Sequence, residues 1–193
     1  MENIEGTEVK YGAITDFIHS LINMSYGKKR DKLTVVDATA GNGYDTLFLS
    51  ELNNTFVYSF DIQEIAVEKT DKLMKENHRE NYKIILDGHE NINRYVEEDI
   101  DIAVFNLGYL PNGDKNLHTM SETTIVAIDS ILDRLSNTGR IYIAAYLGHD
   151  NAKEANEILD HISHLDRRKY NVIQIRLINK NNTPPEIYIL ESK

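Results

Sequence analysis

The stretch DATAGNGYDT, residues 37–46, separates an apolar run, LTVV (33–36), from a helix-like LFLSEL (47–52). Gly41 and Gly43 fall in the turn between them. Glycine accepts positive φ and lets another group approach the backbone closely, so a ligand lying against a strand-to-helix turn favours this pattern. A plain tight turn also accounts for the glycines taken alone. The next apolar run, FVYSFD (56–61), ends in Asp61, 20 residues past Gly41. From that position a carboxylate reaches both hydroxyls of a ribose, although an aspartate there also suits the N-cap of a following helix. A dinucleotide site usually carries a third glycine, G-x-G-x-x-G, where this chain has Thr46. That departure argues against NAD and FAD. Asp37, at the end of the first strand, would repel a pyrophosphate but suits an ammonium or sulfonium cation. S-adenosylmethionine combines such a cation with a ribose.

Outward from this stretch, short branched apolar runs alternate with segments of helical periodicity, the pattern of βα units around a parallel sheet. Strands are expected at 33–38, 56–61, 82–87, 101–108, 139–147, 170–178 and 186–192, and helices at 11–26, 43–52, 63–77, 90–98, 119–136 and 150–166. Only NKNNTPP (179–185) separates the last two strands. Its asparagines and prolines read as a hairpin turn, which places one antiparallel strand near the edge of an otherwise parallel sheet. The class is α/β, with a ligand expected beyond the carboxyl ends of the strands.

The 193 residues, 41% of them hydrophobic, fit one domain over 1–193, with an N-terminal helical segment within 1–30. No run is apolar over the ~18 residues a membrane span needs, and MENIEGTEVK lacks the features of a signal peptide, so a cytoplasmic location and no membrane partner are expected. Cysteine is absent, which excludes disulfides, thiolate metal sites and a cysteine nucleophile in this chain. The formal charge of −10 opposes non-specific attachment to a polyanion. A nucleic-acid partner needs a local basic patch, for which GKKRDK (27–32) and DRRKY (166–170) are candidates, although such runs are commonly solvated helix ends.

The third strand ends in DGHE (87–90), where Asp87, Gly88 and His89 could flank an adenine ring, with His89 stacking or hydrogen-bonding, or else lying on the surface. The fourth ends in FNLGYLPNGDK (105–115), polar and glycine-rich after an apolar run, where substrate chemistry is expected. Together with DATAGNGYDTLFL, SFDIQ, DGHEN, YLGHDNAKEA and NTPPEIYILE, this segment resembles the small methyltransferases labelled rRNA methylases, from about residue 10 onward. The segment NLGYLPxGDK is far more diagnostic than GNG.

The resemblance implies a class I, S-adenosylmethionine-dependent, Rossmann-like fold of seven strands in the order 3-2-1-4-5-7-6, with the seventh antiparallel. It implies no metal. The family includes a bacterial enzyme that methylates the 5-aminomethyl group of the tRNA wobble uridine, so it also implies that activity, S-adenosylhomocysteine as product, and a tRNA anticodon stem-loop as partner. Carried over by position, Gly41, Asn42 and Gly43 would line the methionine moiety, Asp61 would hold the ribose, Gln63 would lie by the adenosine, and Gly88 with His89 would border the adenine. Asp37 and Asp45 rank second, and Asn106 is a cofactor-binding candidate as well as an acceptor-side one. Residues Asn106 to Tyr109 resemble the N-P-P-Y-type loop of amino-methyltransferases, with Leu107 and Gly108 in place of both prolines. The Asn106 carbonyl would accept a hydrogen bond from the amine, and Tyr109 would stack on the base; a turn cap and a core tyrosine are the plainer alternatives.

Asp114 and His149 are candidate proton acceptors, with a loop carboxylate and a surface histidine as alternatives, and Lys115 and His149 are candidate substrate contacts. The family often has glycine where this chain has Ala152. Missing cysteine fits an exocyclic amine acceptor, because methylation of a pyrimidine C5 normally uses an enzyme nucleophile. Assembly as a homodimer would double the basic surface.

Overall fold

The computed structural model describes residues 14–28, 31–108, 119–148, 151–179 and 184–193. Its centre is a seven-stranded sheet in the order β3-β2-β1-β4-β5-β7-β6. The strands are β1 (Leu33–Asp37), β2 (Thr55–Asp61), β3 (Tyr82–Leu86), β4 (Ile100–Leu107), β5 (Leu135–Ala145), β6 (Tyr170–Ile175) and β7 (Glu186–Ser192). All pairings are parallel except those of β7, which runs antiparallel to both β5 and β6. The expected order and the antiparallel edge hairpin are both present.

All five residues of β1 are buried. A central parallel strand is covered on both faces, which is why it reads as a continuous apolar run. One face carries α4 (Ser121–Leu132) and α5 (Lys153–Ser163), whose Ala127, Ile128, Ile131, Ile158 and Ile162 close the larger core over Phe105, Ile141 and Ile143. The other carries α1 (Ile14–Tyr26), α2 (Tyr44–Glu51) and α3 (Glu64–Glu76). In α1, Ile18, Ile22 and Tyr26 recur every fourth residue and are buried, so one stripe of the helix meets the sheet. Tyr26 anchors its end by donating from its hydroxyl to the Thr138 carbonyl at 2.5 Å, between strands β4 and β5.

Several boundaries differ from expectation. Helix α4 ends at Leu132 rather than 136, α5 at Ser163 rather than 166 and β6 at Ile175 rather than 178, and three further differences have a visible cause. Residues 90–98 do not form an α-helix: a six-residue 3-10 helix, His89–Arg94, stands there. The Asp87 carboxylate accepts from Gly88 N, Asn91 Nδ2 and Tyr95 Oη at 2.8–2.9 Å, tying both ends of a short turn together. Helix α5 starts at Lys153 because Asn151 and Ala152 adopt φ of 58° and 62°, outside the helical region. Strand β5 begins at Leu135 rather than 139, since Leu135 pairs with Ile100 across a register shift that precedes Arg140.

Candidate functional site

A cleft of about 890 Å³ opens at the carboxyl ends of β1 to β5. The expected convergence of strands one to four is met, and β5 joins them through Tyr146, Leu147 and Gly148. Thr15 of α1, together with Thr119, Met120 and Thr123 at the start of α4, completes the wall.

The turn after β1 builds one half. Gly41 and Gly43 have φ of 56° and 84°, which L-residues with a Cβ rarely adopt. Asp61 ties this turn to the next: its Oδ2 accepts from Gly41 N and its Oδ1 from Gln63 N, both at 2.9 Å. The aspartate thus lines the cleft and bonds the backbone just ahead of α3, whose N-cap residue is Gln63 and not Asp61. Each carboxylate oxygen keeps a further lone pair for a hydroxyl donor. Gly41, Asn42, Asp45, Gln63, Gly88 and His89 also line the cleft.

Two residues expected among them lie elsewhere. Gly43 is not a lining residue; a Cβ there would meet Thr70 Cα at 3.0 Å, so this glycine serves the close approach of α2 to α3. Asp37 is wholly buried beneath the turn, where it accepts from Thr46 Oγ1 at 2.6 Å and Thr39 N at 3.1 Å. Burial, reinforced by the nearby charge of Asp45, pushes its carboxyl up to about 7 despite those hydrogen bonds. Thr46, at the third-glycine position of the dinucleotide pattern, is thus occupied in satisfying a buried acid.

His89 is 8% exposed. Its Nδ1 lies 3.0 Å from the Ala38 carbonyl and must carry the proton, since a carbonyl only accepts. Nε2 lies 3.4 Å from the Thr124 hydroxyl, and burial lowers the ring's pKa, so His89 is neutral. It is not a surface residue, and both nitrogens face protein partners. What borders the cleft is the ring, set edge-on against Phe105.

The other half is held by side chains distant in sequence. Asn106, at the end of β4, donates from its backbone N to Thr39 Oγ1 at 2.8 Å and from Nδ2 to Asp45 Oδ2 at 3.2 Å. Because a carboxylate accepts only, Asp45 fixes which end of the Asn106 amide faces it and leaves the carbonyl oxygen on the opposite side. Asp45 Oδ1 in turn accepts from His19 Nε2 at 2.7 Å. Gly108 N donates to Thr119 Oγ1 at 2.9 Å and Thr119 N to the Gly108 carbonyl at 3.0 Å, clamping the stem of residues 109–118. Glu154 braces that stem by accepting from Thr119 Oγ1 at 2.8 Å.

Tyr109, Asp114, Lys115 and His149 lie outside the described residues. The sequence reading missed Tyr44 and Tyr146, cleft-lining aromatics that are 68% and 40% exposed. It also missed Thr15, which lines the cleft together with Tyr146, and His19. No local motif marks any of them; the tyrosines' places just after Gly43 and just past β5 are the only signal. Of the basic runs, Lys32 leads into the amino end of β1 and residues 166–169 into the amino end of the edge strand β6, both away from this cleft, while Lys29 and Arg30 lie outside the described residues. Arg168 is moreover paired with Asp166 at 2.8 Å. Among the described residues no helix is long and apolar enough to cross a membrane.

The family model described as "Putative rRNA methylase" matches residues 57–191. A chloroplastic tRNA (mnm(5)s(2)U34)-methyltransferase of Arabidopsis thaliana is 34% identical over 140 residues, 66% of this chain. The chain spans about half the length of that curated relative, the match covering 51% of it. A crystal structure of a "putative rRNA-methylase" from Clostridium thermocellum superposes with a TM-score of 0.89 at 35% identity, covering 95% of this chain and all of that one. The Streptococcus mutans protein SMU.1697c, solved in complex with SAH, gives 0.84 at 39% identity over 93% of this chain and 97% of that one. With the matched segment running from β2 through β7 on a sheet of this order, the chain belongs to the family described as "Putative rRNA methylase" and has the fold of class I SAM-dependent methyltransferases.

Proposed function

We propose that this SAM-dependent methyltransferase methylates the amine of 5-aminomethyluridine, with or without 2-thiolation, at the tRNA wobble position, giving 5-methylaminomethyluridine. The observation that carries the acceptor class is Asn106, a cleft-lining amide whose N–H end is held by Asp45 so that its carbonyl is free to accept. The Arabidopsis relative's name supports tRNA as the acceptor, and the SAH complex of the Streptococcus mutans protein supports the cofactor.

The residues present fit S-adenosylmethionine. Asp61 offers a carboxylate to a ribose, the Gly41 turn offers a bare backbone, and Asp45 and Asp61 lend the cleft a negative field that favours a cation. When bound, S-adenosylmethionine supplies an electrophilic methyl on a sulfonium. The chain's part is to position the acceptor: the Asn106 carbonyl takes an N–H of the neutral amine and so directs the nitrogen lone pair. Orientation of this kind can be worth an effective molarity of ~10⁵ M or more. Tyr146 and Tyr44, half-exposed to exposed at the cleft, offer ring faces on which an unstacked base can lie.

The test is transfer of labelled methyl from S-adenosylmethionine to bulk tRNA lacking the final wobble methyl, read by nucleoside mass analysis, with Asp61→Ala as control. Label in 5-methylaminomethyluridine, lost in the control, is the expected result. Cofactor binding with unlabelled tRNA sinks the wobble-uridine reading and turns the search to rRNA or small amines.

A further inference from the structure

Helix α1 carries none of the residues read from the sequence as chemical, yet one of its faces borders the acceptor half of the cleft. Thr15 and His19 are one turn apart and hence on the same face; Thr15 lines the cleft, and His19 hydrogen-bonds Asp45. The His19 ring lies flat on Phe48, with centroids 3.7 Å apart and planes 8° from parallel, so its orientation is set by packing as well as by the hydrogen bond.

We propose that His19 is a positioning residue for methyl transfer: by donating from Nε2 to Asp45 it holds the carboxylate that fixes the Asn106 amide, and thereby aims the Asn106 carbonyl at the acceptor amine. The inference rests on the proposed reading of Asn106 as the amine's hydrogen-bond acceptor.

The two ends of an asparagine amide have nearly the same shape, so only the partner decides which end points where. Asp45, with its side chain 8% exposed, accepts on both oxygens, from His19 Nε2 at 2.7 Å and from Asn106 Nδ2 at 3.2 Å. Take away the His19 donor, and the nearly buried carboxylate can turn toward solvent or take up a proton. A carboxylic acid is a donor as well as an acceptor, so it satisfies a flipped Asn106 equally well. The flipped amide presents N–H groups to the amine, the wrong polarity for binding it as a neutral nucleophile. A histidine donor on the outer oxygen leaves the inner oxygen as an acceptor only, which admits one orientation of Asn106.

Two substitutions separate the hydrogen bond from the packing. His19→Phe keeps a ring on Phe48 and loses the donor, whereas His19→Gln gives up the stack and keeps an N–H at the end of the side chain. Single-turnover transfer to undermodified tRNA should slow in His19→Phe on the order of 10- to 100-fold, the range expected for a misplaced positioning group. Cofactor affinity, measured by calorimetry, should fall less than the transfer rate, since Asp61 keeps its charge and contacts, and His19→Gln should recover most of the loss in rate. In ¹⁵N spectra the Asn106 side-chain N–H resonances should move in His19→Phe and stay near their original positions in His19→Gln.

A purely structural role predicts that the two variants behave alike, and equal behaviour by either readout overturns the proposal. The spectra do not depend on the acceptor. If the unaltered protein transfers nothing to tRNA while the Asn106 resonances still separate Phe from Gln, the tRNA reading fails and the positioning role of His19 stands.

Discussion

The two halves of the cleft are built in opposite ways. On the side of β1 and β2, Asp61 grips backbone N–H groups two and 20 residues from itself, and the shape comes from a glycine turn. On the side of β4, side chain holds side chain across 26 residues for His19 and Asp45 and 61 for Asp45 and Asn106. A backbone-built site can be traced in a short motif, because the chain's own covalent geometry places its parts. A side-chain network exists only after α1, α2 and β4 have come together. The first half is therefore set by a local motif and the second by the assembled fold.

The sharpest way to break this contrast is Asn106→Ala. It should reduce the transfer rate on the order of 10²- to 10³-fold, the cost typical of losing a preorganised polar contact in the transition state, while leaving cofactor affinity nearly unchanged by calorimetry. Equal losses in rate and affinity would merge the two halves into one. Asp61→Ala should do the converse, weakening cofactor binding about 100-fold, as loss of hydrogen bonds to a charged group would.

Gly43→Ala probes fold rather than ligand. With φ at 84° and Thr70 Cα at 3.0 Å, an added methyl should cost about 2 kcal/mol in denaturant unfolding, from αL strain and crowding together. A ligand-lining glycine would instead have cost affinity.

Asp37→Asn should change pH dependence. Asp37 titrates higher in the folded chain than in the unfolded one, so its contribution to stability is full below the ordinary carboxylate range and is lost as pH rises toward about 7. The amide carries no such charge, and the variant should gain on the original protein between pH 5 and pH 8 by roughly 3 °C in Tm, equivalent to about 1 kcal/mol for a chain of this size. A parallel pair of profiles would show that the acid is not held protonated.

The smallest effect is expected at Ala152→Gly, where φ is 62°. Relief of αL strain, offset by glycine's greater unfolded-state freedom, leaves a gain of about 0.5 kcal/mol.

These residues also show what was legible in the sequence. The strands themselves, the antiparallel pairing at the edge and the cofactor turn were readable because hydrophobic period and glycine placement are local quantities, whereas the strand order came from the family resemblance. The burial of Asp37 was not legible because an acid at a strand end looks alike whether it faces a cation or lies under a turn bonded to Thr46. The packing of Gly43 on α3 was not legible because ligand approach and helix approach both exclude a Cβ. The placement of Lys32 and of residues 166–169 away from the cleft was implicit in the sequence: both precede strands, and in a parallel sheet the site lies where strands end. His19 offered no such clue, since a histidine four residues after a threonine is ordinary on any helix.

The position of β7 bears on how the chain acquires its shape. Strand β6 precedes β7 in the sequence yet meets the sheet only through it, and β5 has β7 rather than β6 as its outer neighbour. As the polypeptide leaves the ribosome, Tyr170–Ile175 therefore waits with both edges unpaired, beside an open flank of β5, until Glu186–Ser192 slides between them. Such an interval exposes strand edges prone to intermolecular pairing. The sixth strand made is among the last to find its place, and chaperone demand should rise in that window.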